Sequence, residues 1–148
     1  MGKSYQISLA EIDDIEKWMA LVDIVGDDFP GLDKEEYKKV LLENISAGTA
    51  VCATVRDEIV GILLFSLVNG TLSFIAVHPD FRGSGIASDM IREMIKKFPP
   101  ESDICVTTFR DGDAKGEAAR FLYQKIGFIE DELVEEFGYP CQKFIFRT

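Results

Sequence analysis

Apolar and polar positions recur along this chain with two periods, and the switches between them outline the elements. Tyr5 to Ser8 reads as a short opening strand. Ser8-x-x-Glu11 has capping-box spacing, and Ile12, Ile15, Met19, Val22 and Val25 follow at helical intervals, which predicts a first helix. The run Asp27-Asp28-Phe29-Pro30-Gly31 breaks that pattern. Asp33-x-x-Glu36 then caps a second predicted helix whose apolar face is Tyr37, Val40, Leu41 and Ile45, with Gly48 as its left-handed stop.

The middle of the chain changes period. Residues 49–55, 58–68 and 71–77 are rich in β-branched and aromatic side chains, separated by Arg56-Asp57 and Asn69-Gly70. Asn-Gly between two apolar runs signals a hairpin, so these three segments predict an antiparallel meander. After a loop over 78–84, Ile86, Ala87, Met90, Ile91, Met94, Ile95 and Phe98 share one helical face, ended by Pro99-Pro100. Residues 103–108 read as a strand and 115–126 as a helix with Ala118, Ala119, Leu122 and Ile126 inward. Residues 128–134 and 142–147 read as closing strands. The order is β-α-α-β-β-β-α-β-α-β-β, an α+β plan in one domain over 1–148, whose central helix crosses to a parallel neighbour.

The chain's 148 residues, 47% of them hydrophobic and 28% charged, suffice for an ordinary buried core. Sixteen Lys and Arg against 26 Asp and Glu leave a net charge of −10, a field that repels phosphate backbones and anionic lipid. Nucleic acid and membrane are therefore not expected partners, and a cationic small substrate is compatible. Cys52, Cys105 and Cys141 lie among strand-like apolar neighbours, where thiols act as small hydrophobes, which fits a reducing, cytoplasmic setting. With one His and three scattered Cys, no metal site is expected.

The most informative stretch is 77–88, where a strand runs through Pro79 into small residues that open a helix. Successive N–H groups at such a helix start form an anion cradle, and Gly83 and Gly85 let a phosphate approach the backbone. No Gly-Lys-Ser/Thr follows, which excludes a Walker loop. A dinucleotide fingerprint fits poorly, because the preceding strand belongs to an antiparallel hairpin and Asp103 stands at the start of the next strand rather than its end.

Arg82-Gly83-Ser84-Gly85-Ile86-Ala87 resembles the Gln/Arg-x-x-Gly-x-Gly/Ala signature of the GNAT superfamily of acetyl-CoA-dependent N-acetyltransferases. Ile75-Ala76-Val77-x-Pro79 before it is also family-like, and residues 119–128, with Leu122-Tyr123 and Gly127-Phe128, resemble the family's second signature. The resemblance implies a mixed, mostly antiparallel sheet of about seven strands flanked by four helices. It implies acetyl-CoA as cosubstrate, with the pyrophosphate on the amides of Gly83, Ser84, Gly85, Ile86, Ala87 and Ser88 and a contact from Arg82. The pantetheine arm would pair with the edge formed by Ile75, Ala76 and Val77, extending the sheet. Dimerisation through the C-terminal strands is common in the family, so a homodimer is an expectation that comes with it.

By the same resemblance Tyr123 assists the departing thiolate, and a backbone N–H, that of Val77, meets the oxyanion. A phenol is a weaker acid than a thiol by roughly 1.5 pKa units, about 2 kcal/mol, so the tyrosine is a hydrogen-bond donor rather than a full proton source. The family's β4 glutamate is replaced by Ser73, and Thr107 and Thr108 stand where other relatives place an acid. Gly116 replaces an asparagine seven residues before the tyrosine. His78 is expected to be structural, Asp111, Asp113 and Glu117 to be a solvated loop, and Asp27, Asp28 and Phe29, in the region that covers the acceptor in the family, to be an acidic turn. The expected function is direct acetyl transfer to a primary amine of a small molecule or peptide. The rival is a coenzyme-A-binding regulatory module.

Overall fold

The computed structural model describes residues 4–148. Seven strands form one sheet in the order β1-β2-β3-β4-β5-β7-β6. They are β1 (Gln6–Leu9), β2 (Ala50–Val55), β3 (Glu58–Ser66), β4 (Thr71–Val77), β5 (Asp103–Phe109), β6 (Ile129–Glu136) and β7 (Tyr139–Arg147). Helices α1 (Ile15–Val25) and α2 (Lys34–Ala47) cover one face, and α3 (Ile86–Lys96) and α4 (Glu117–Ile126) the other. Every pairing is antiparallel except β4 with β5, as the predicted crossover requires.

Alternation along the central strands feeds two cores. Val51 and Ala53 join Met90, Ile91 and Met94 beneath α3, while Ala50 and Cys52 join Trp18, Leu21 and Leu41 beneath α1 and α2. A bulge at Val60, which the register passes over between Ile59 and Gly61, lets Val60 face the α3 side and Ile62 the α1 side. A second bulge leaves Ser73 of β4 without a partner between Leu72 and Phe74.

Some local expectations shift. Ser8 lies inside β1 beside Cys52, so it caps nothing; the capping box is Glu11 with Asp14, around a 3-10 turn that leads into α1. Ile12 sits in that turn and is 69% exposed. Asp33 does cap α2, accepting from the N–H groups of Glu35 and Glu36, and Gly48 closes that helix in the left-handed region. Val40 is exposed rather than inward. In α4 the buried side chains are Arg120 and Tyr123, Ala118 is exposed, and Ala119, Leu122 and Ile126 are half-buried.

Arg120 explains that rotation of α4. Its guanidinium donates to Phe109 O at 3.1 Å and Gln142 Oε1 at 2.8 Å, pairs with Glu130, and lies over the Phe144 ring. One side chain thereby ties α4 to β5, β6 and β7. All three cysteines are free thiols, and burial pushes each thiol up in pKa, consistent with inert packing groups. Five acids, Glu130, Asp131, Glu132, Glu135 and Glu136, line the β6 edge and discourage strand-to-strand aggregation there.

Replacing Arg120 leaves the half-buried Phe109 carbonyl and the buried Gln142 amide oxygen without this donor. Arg120→Met should therefore lower stability by about 2–3 kcal/mol, read as a lower denaturant midpoint at unchanged m-value. Arg120→Lys should recover part of it; a midpoint unchanged in the Met variant would refute the brace.

Candidate active site

Strands β4 and β5 meet at one position only, Thr71 opposite Cys105, with Cys105 N–H donating to Gly70 O at 2.8 Å. Beyond that point they diverge, leaving a wedge that opens toward Val77. His78 N–H donates to Val60 O at 2.8 Å, so strand alternation turns the N–H and C=O of Val77, and of Ile75 two residues earlier, away from β3 and into the wedge. Ala76 lies between them, and the same alternation directs its backbone groups toward Ile62 of β3.

The wide end of the wedge leads to the glycine loop. Residues 79–81 make a 3-10 turn, and Gly83 and Gly85 take φ of +77° and +93°, where a side chain would be strained. A Cβ on Gly83 would meet no atom within 4 Å, so the surface above it is open, whereas Gly85 is backed by the Tyr5 hydroxyl, which donates to Asp89. The first helical bond of α3 is Asp89 N–H to Gly85 O. The N–H groups of Ile86, Ala87 and Ser88 therefore have no helical acceptor and carry the positive end of the helix dipole. Ser84 Oγ is turned inward, donating to Phe81 O.

Basic side chains add less to this cradle than their number suggests. Arg92, Lys96 and Lys97 lie toward the far end of α3, paired with Asp89 or Glu93. Arg82 is at the loop, yet its Nε donates to Val77 O at 3.0 Å and its Nη2 binds Asp28 at 3.0 Å. That second contact links the glycine loop to the segment between α1 and α2. His78 Nδ1 accepts from Asp80 N–H at 3.0 Å, a structural role inside the turn.

Tyr123 is 4% exposed, packed on Phe128 and Phe144. Its hydroxyl has no hydrogen-bond partner among the described residues and is not sealed from solvent. Burial pushes its pKa up to about 12. Gly116 packs against β5: a Cβ there would lie 2.8 Å from Phe109 Cβ and 3.3 Å from the Phe109 Cα and carbonyl oxygen. The backbone is too close for an asparagine at this position, which gives the departure from the family pattern a steric cause.

The remaining polar candidates are dispersed. Ser73 is exposed at the bulge, and Thr107 and Thr108 pair with Lys143 and Gln142 of β7. Asp113 accepts from Lys115 N–H and from the Tyr139 hydroxyl, bonds that hold its carboxyl below the usual range and make it a loop brace. Asp111 and Glu117 are exposed. Sequence reading missed Arg120, although its place three residues before Tyr123 puts the two on one helical face. The bulge at Ser73 leaves no trace in the residue pattern.

The sequence and the fold are similar to those of proteins of known class. Residues 18–128 match the model of the acetyltransferase (GNAT) family. An alanine N-acetyltransferase of ribosomal protein bS18 from Haemophilus influenzae is 30% identical over 102 residues, 69% of this chain and 60% of that enzyme's length. A GNAT-family acetyltransferase from Bacillus cereus superposes with a TM-score of 0.77 at 25% identity, covering 97% of both chains. The Salmonella typhimurium protein yncA, solved with acetyl-CoA, superposes with a TM-score of 0.75 at 12% identity, over 98% of this chain and 94% of that one. Because the family model spans most of the sequence and the fold agrees end to end, the chain belongs to the acetyltransferase (GNAT) family.

Proposed function

We propose that the protein transfers the acetyl group of acetyl-CoA directly to a primary amine, in the cytoplasm. The observation that carries this reading is the wedge, in which an edge with free backbone donors runs from an anion cradle toward the strand apex. The amides of Gly83 through Ser88 suit the pyrophosphate, with Ile86, Ala87 and Ser88 supplying the unpaired donors. Arg82 has to release Val77 O if the pantetheine arm is to pair there. The N–H groups of Ile75 and Val77 are the two donors facing the gap, one for a pantetheine amide and one for the thioester oxygen as it gains charge.

In the reaction the amine nitrogen bonds to the thioester carbon, the carbon–sulfur bond breaks, and the amine proton is lost as the thiolate gains one. Tyr123 serves the thiolate. Burial raises its pKa to about 12, and a phenol is in any case a weaker acid than a thiol, so it donates a hydrogen bond and keeps its proton. No carboxylate stands on the β4 edge, where Ser73 takes the family's acidic position, so water carries the amine proton out. No helix among the described residues is long and apolar enough to cross a membrane. The family match and the available tyrosine favour a transferase over a coenzyme-binding regulatory module.

Acetyl-CoA incubated with a panel of amines should release free thiol and give acetylated amine by mass spectrometry; binding of acetyl-CoA without turnover on any amine would overturn the proposal. Tyr123→Phe should lower kcat about ten- to hundredfold with little change in the KM for acetyl-CoA. A raised phenol pKa keeps the protonated donor in place as pH rises, so the native protein should show no loss of kcat from this group below about pH 10. A falling limb near neutral pH that disappears in Tyr123→Phe would refute the donor role. Gly116→Asn should lower the thermal midpoint without tightening coenzyme binding, measured by calorimetry.

A further inference from the structure

A shallow open groove of about 300 Å3 lies between α2 and the bulged part of β4, on the α1–α2 face of the sheet. Leu64 and Tyr37 are buried beneath it, Phe74 is half-buried, and Val40, Glu36 and Ser73 are exposed around it. The groove accounts for the exposed Val40, an apolar residue that the helix pattern places inward. Its aromatic floor is fixed: Phe74 packs on Phe29 at 4.5 Å and on Tyr37 at 5.0 Å, and Trp18 Nε1 donates to the Tyr37 hydroxyl at 3.0 Å. The groove also adjoins the wedge, since Ser73 is only two strand residues, roughly 7 Å, from the free N–H of Ile75.

The charged side chains that line the groove are acidic. Asp33 and Glu36 line it together with no Lys or Arg. The Asp33 carboxylate is occupied as the α2 cap. Glu36 has only an exposed, 3.9 Å contact with Lys39, which is too weak to neutralise it.

Resting on the transferase reading above, we propose that this groove selects the acceptor: a primary ammonium whose neighbouring carbon carries a bulky apolar or aromatic group. The group seats on Phe74 and Tyr37 against Val40, and Glu36 draws the charge before the amine is deprotonated. A polyamine brings no bulky apolar group to cover Phe74 and Tyr37, so it gains nothing from the floor of the groove. An acceptor headed by glycine leaves the floor unfilled.

The test compares kcat/KM for phenylalaninamide, glycinamide, putrescine and the peptide amides Phe-Gly-Gly and Gly-Gly-Gly at saturating acetyl-CoA. The phenylalanine-headed acceptors should exceed their glycine counterparts and putrescine by about tenfold or more. The amide and peptide arms show whether the apolar group arrives on a small molecule or a chain end, and either supports the groove. Val40→Lys, a substitution at an exposed helix position, should erase the preference while leaving the KM for acetyl-CoA unchanged. Glu36→Gln should raise the acceptor KM severalfold with kcat retained. Equal or better use of putrescine or glycinamide, or a preference that survives Val40→Lys, would overturn the inference. Failure to acetylate any amine would instead remove the transferase reading beneath it.

Discussion

The single pairing between β4 and β5 at Thr71 and Cys105 is the constraint on which the rest of the site depends. Parallel neighbours normally satisfy one another's backbone groups along their length. Here they separate after one residue pair, so donors at Ile75 and Val77 that a closed sheet would consume remain free. The split is held from both sides. The β3–β4 ladder continues to Gly61 opposite Val77, and the β5–β7 ladder continues to Phe109 opposite Cys141. Each half of the sheet is anchored to its own partner strand, and the bulge at Ser73 falls where the divergence begins.

Helices finish what the split starts. Helix α3 follows β4 through the 3-10 turn and the glycine loop, which bring its unpaired N–H groups to the wide end of the wedge. Helix α4 is clamped by Arg120 to β5, β6 and β7, so Tyr123 is positioned by the half of the sheet opposite the glycine loop. The glycine loop and the tyrosine thus belong to different halves of the sheet, on either side of the wedge.

Charge is distributed by a similar logic. A net charge of −10 reads as hostile to a phosphorylated cosubstrate. At the loop, however, the groups on offer to an anion are backbone amides and a helix dipole, which act over short range and do not depend on the global balance. Arg92, Lys96 and Lys97 stand beside Asp89 and Glu93 and away from the loop, and Arg82 is shared between a backbone carbonyl and Asp28. Acidic side chains remain exposed at the start of α2 and along β6.

The sequence by itself determined the eleven-element order, the glycine loop at a helix start, and the tyrosine helix, because these follow from local period, turn residues and short motifs. It also carried the caps that act within four residues, as at Asp33 and Gly48. It misplaced the first capping box, since Ser8 and Glu11 share a spacing with Glu11 and Asp14 and only pairing of β1 with β2 decides which is used. It could not show Arg120 turning inward, since a buried arginine is tolerated only when β5, β6 and β7 converge to meet its donors. The residue pair at which β4 and β5 part, the groove at Phe74 and the exclusion of a side chain at Gly116 were decided by tertiary structure alone. Each depends on how closely two segments distant in sequence approach, a distance that no local pattern of residues encodes.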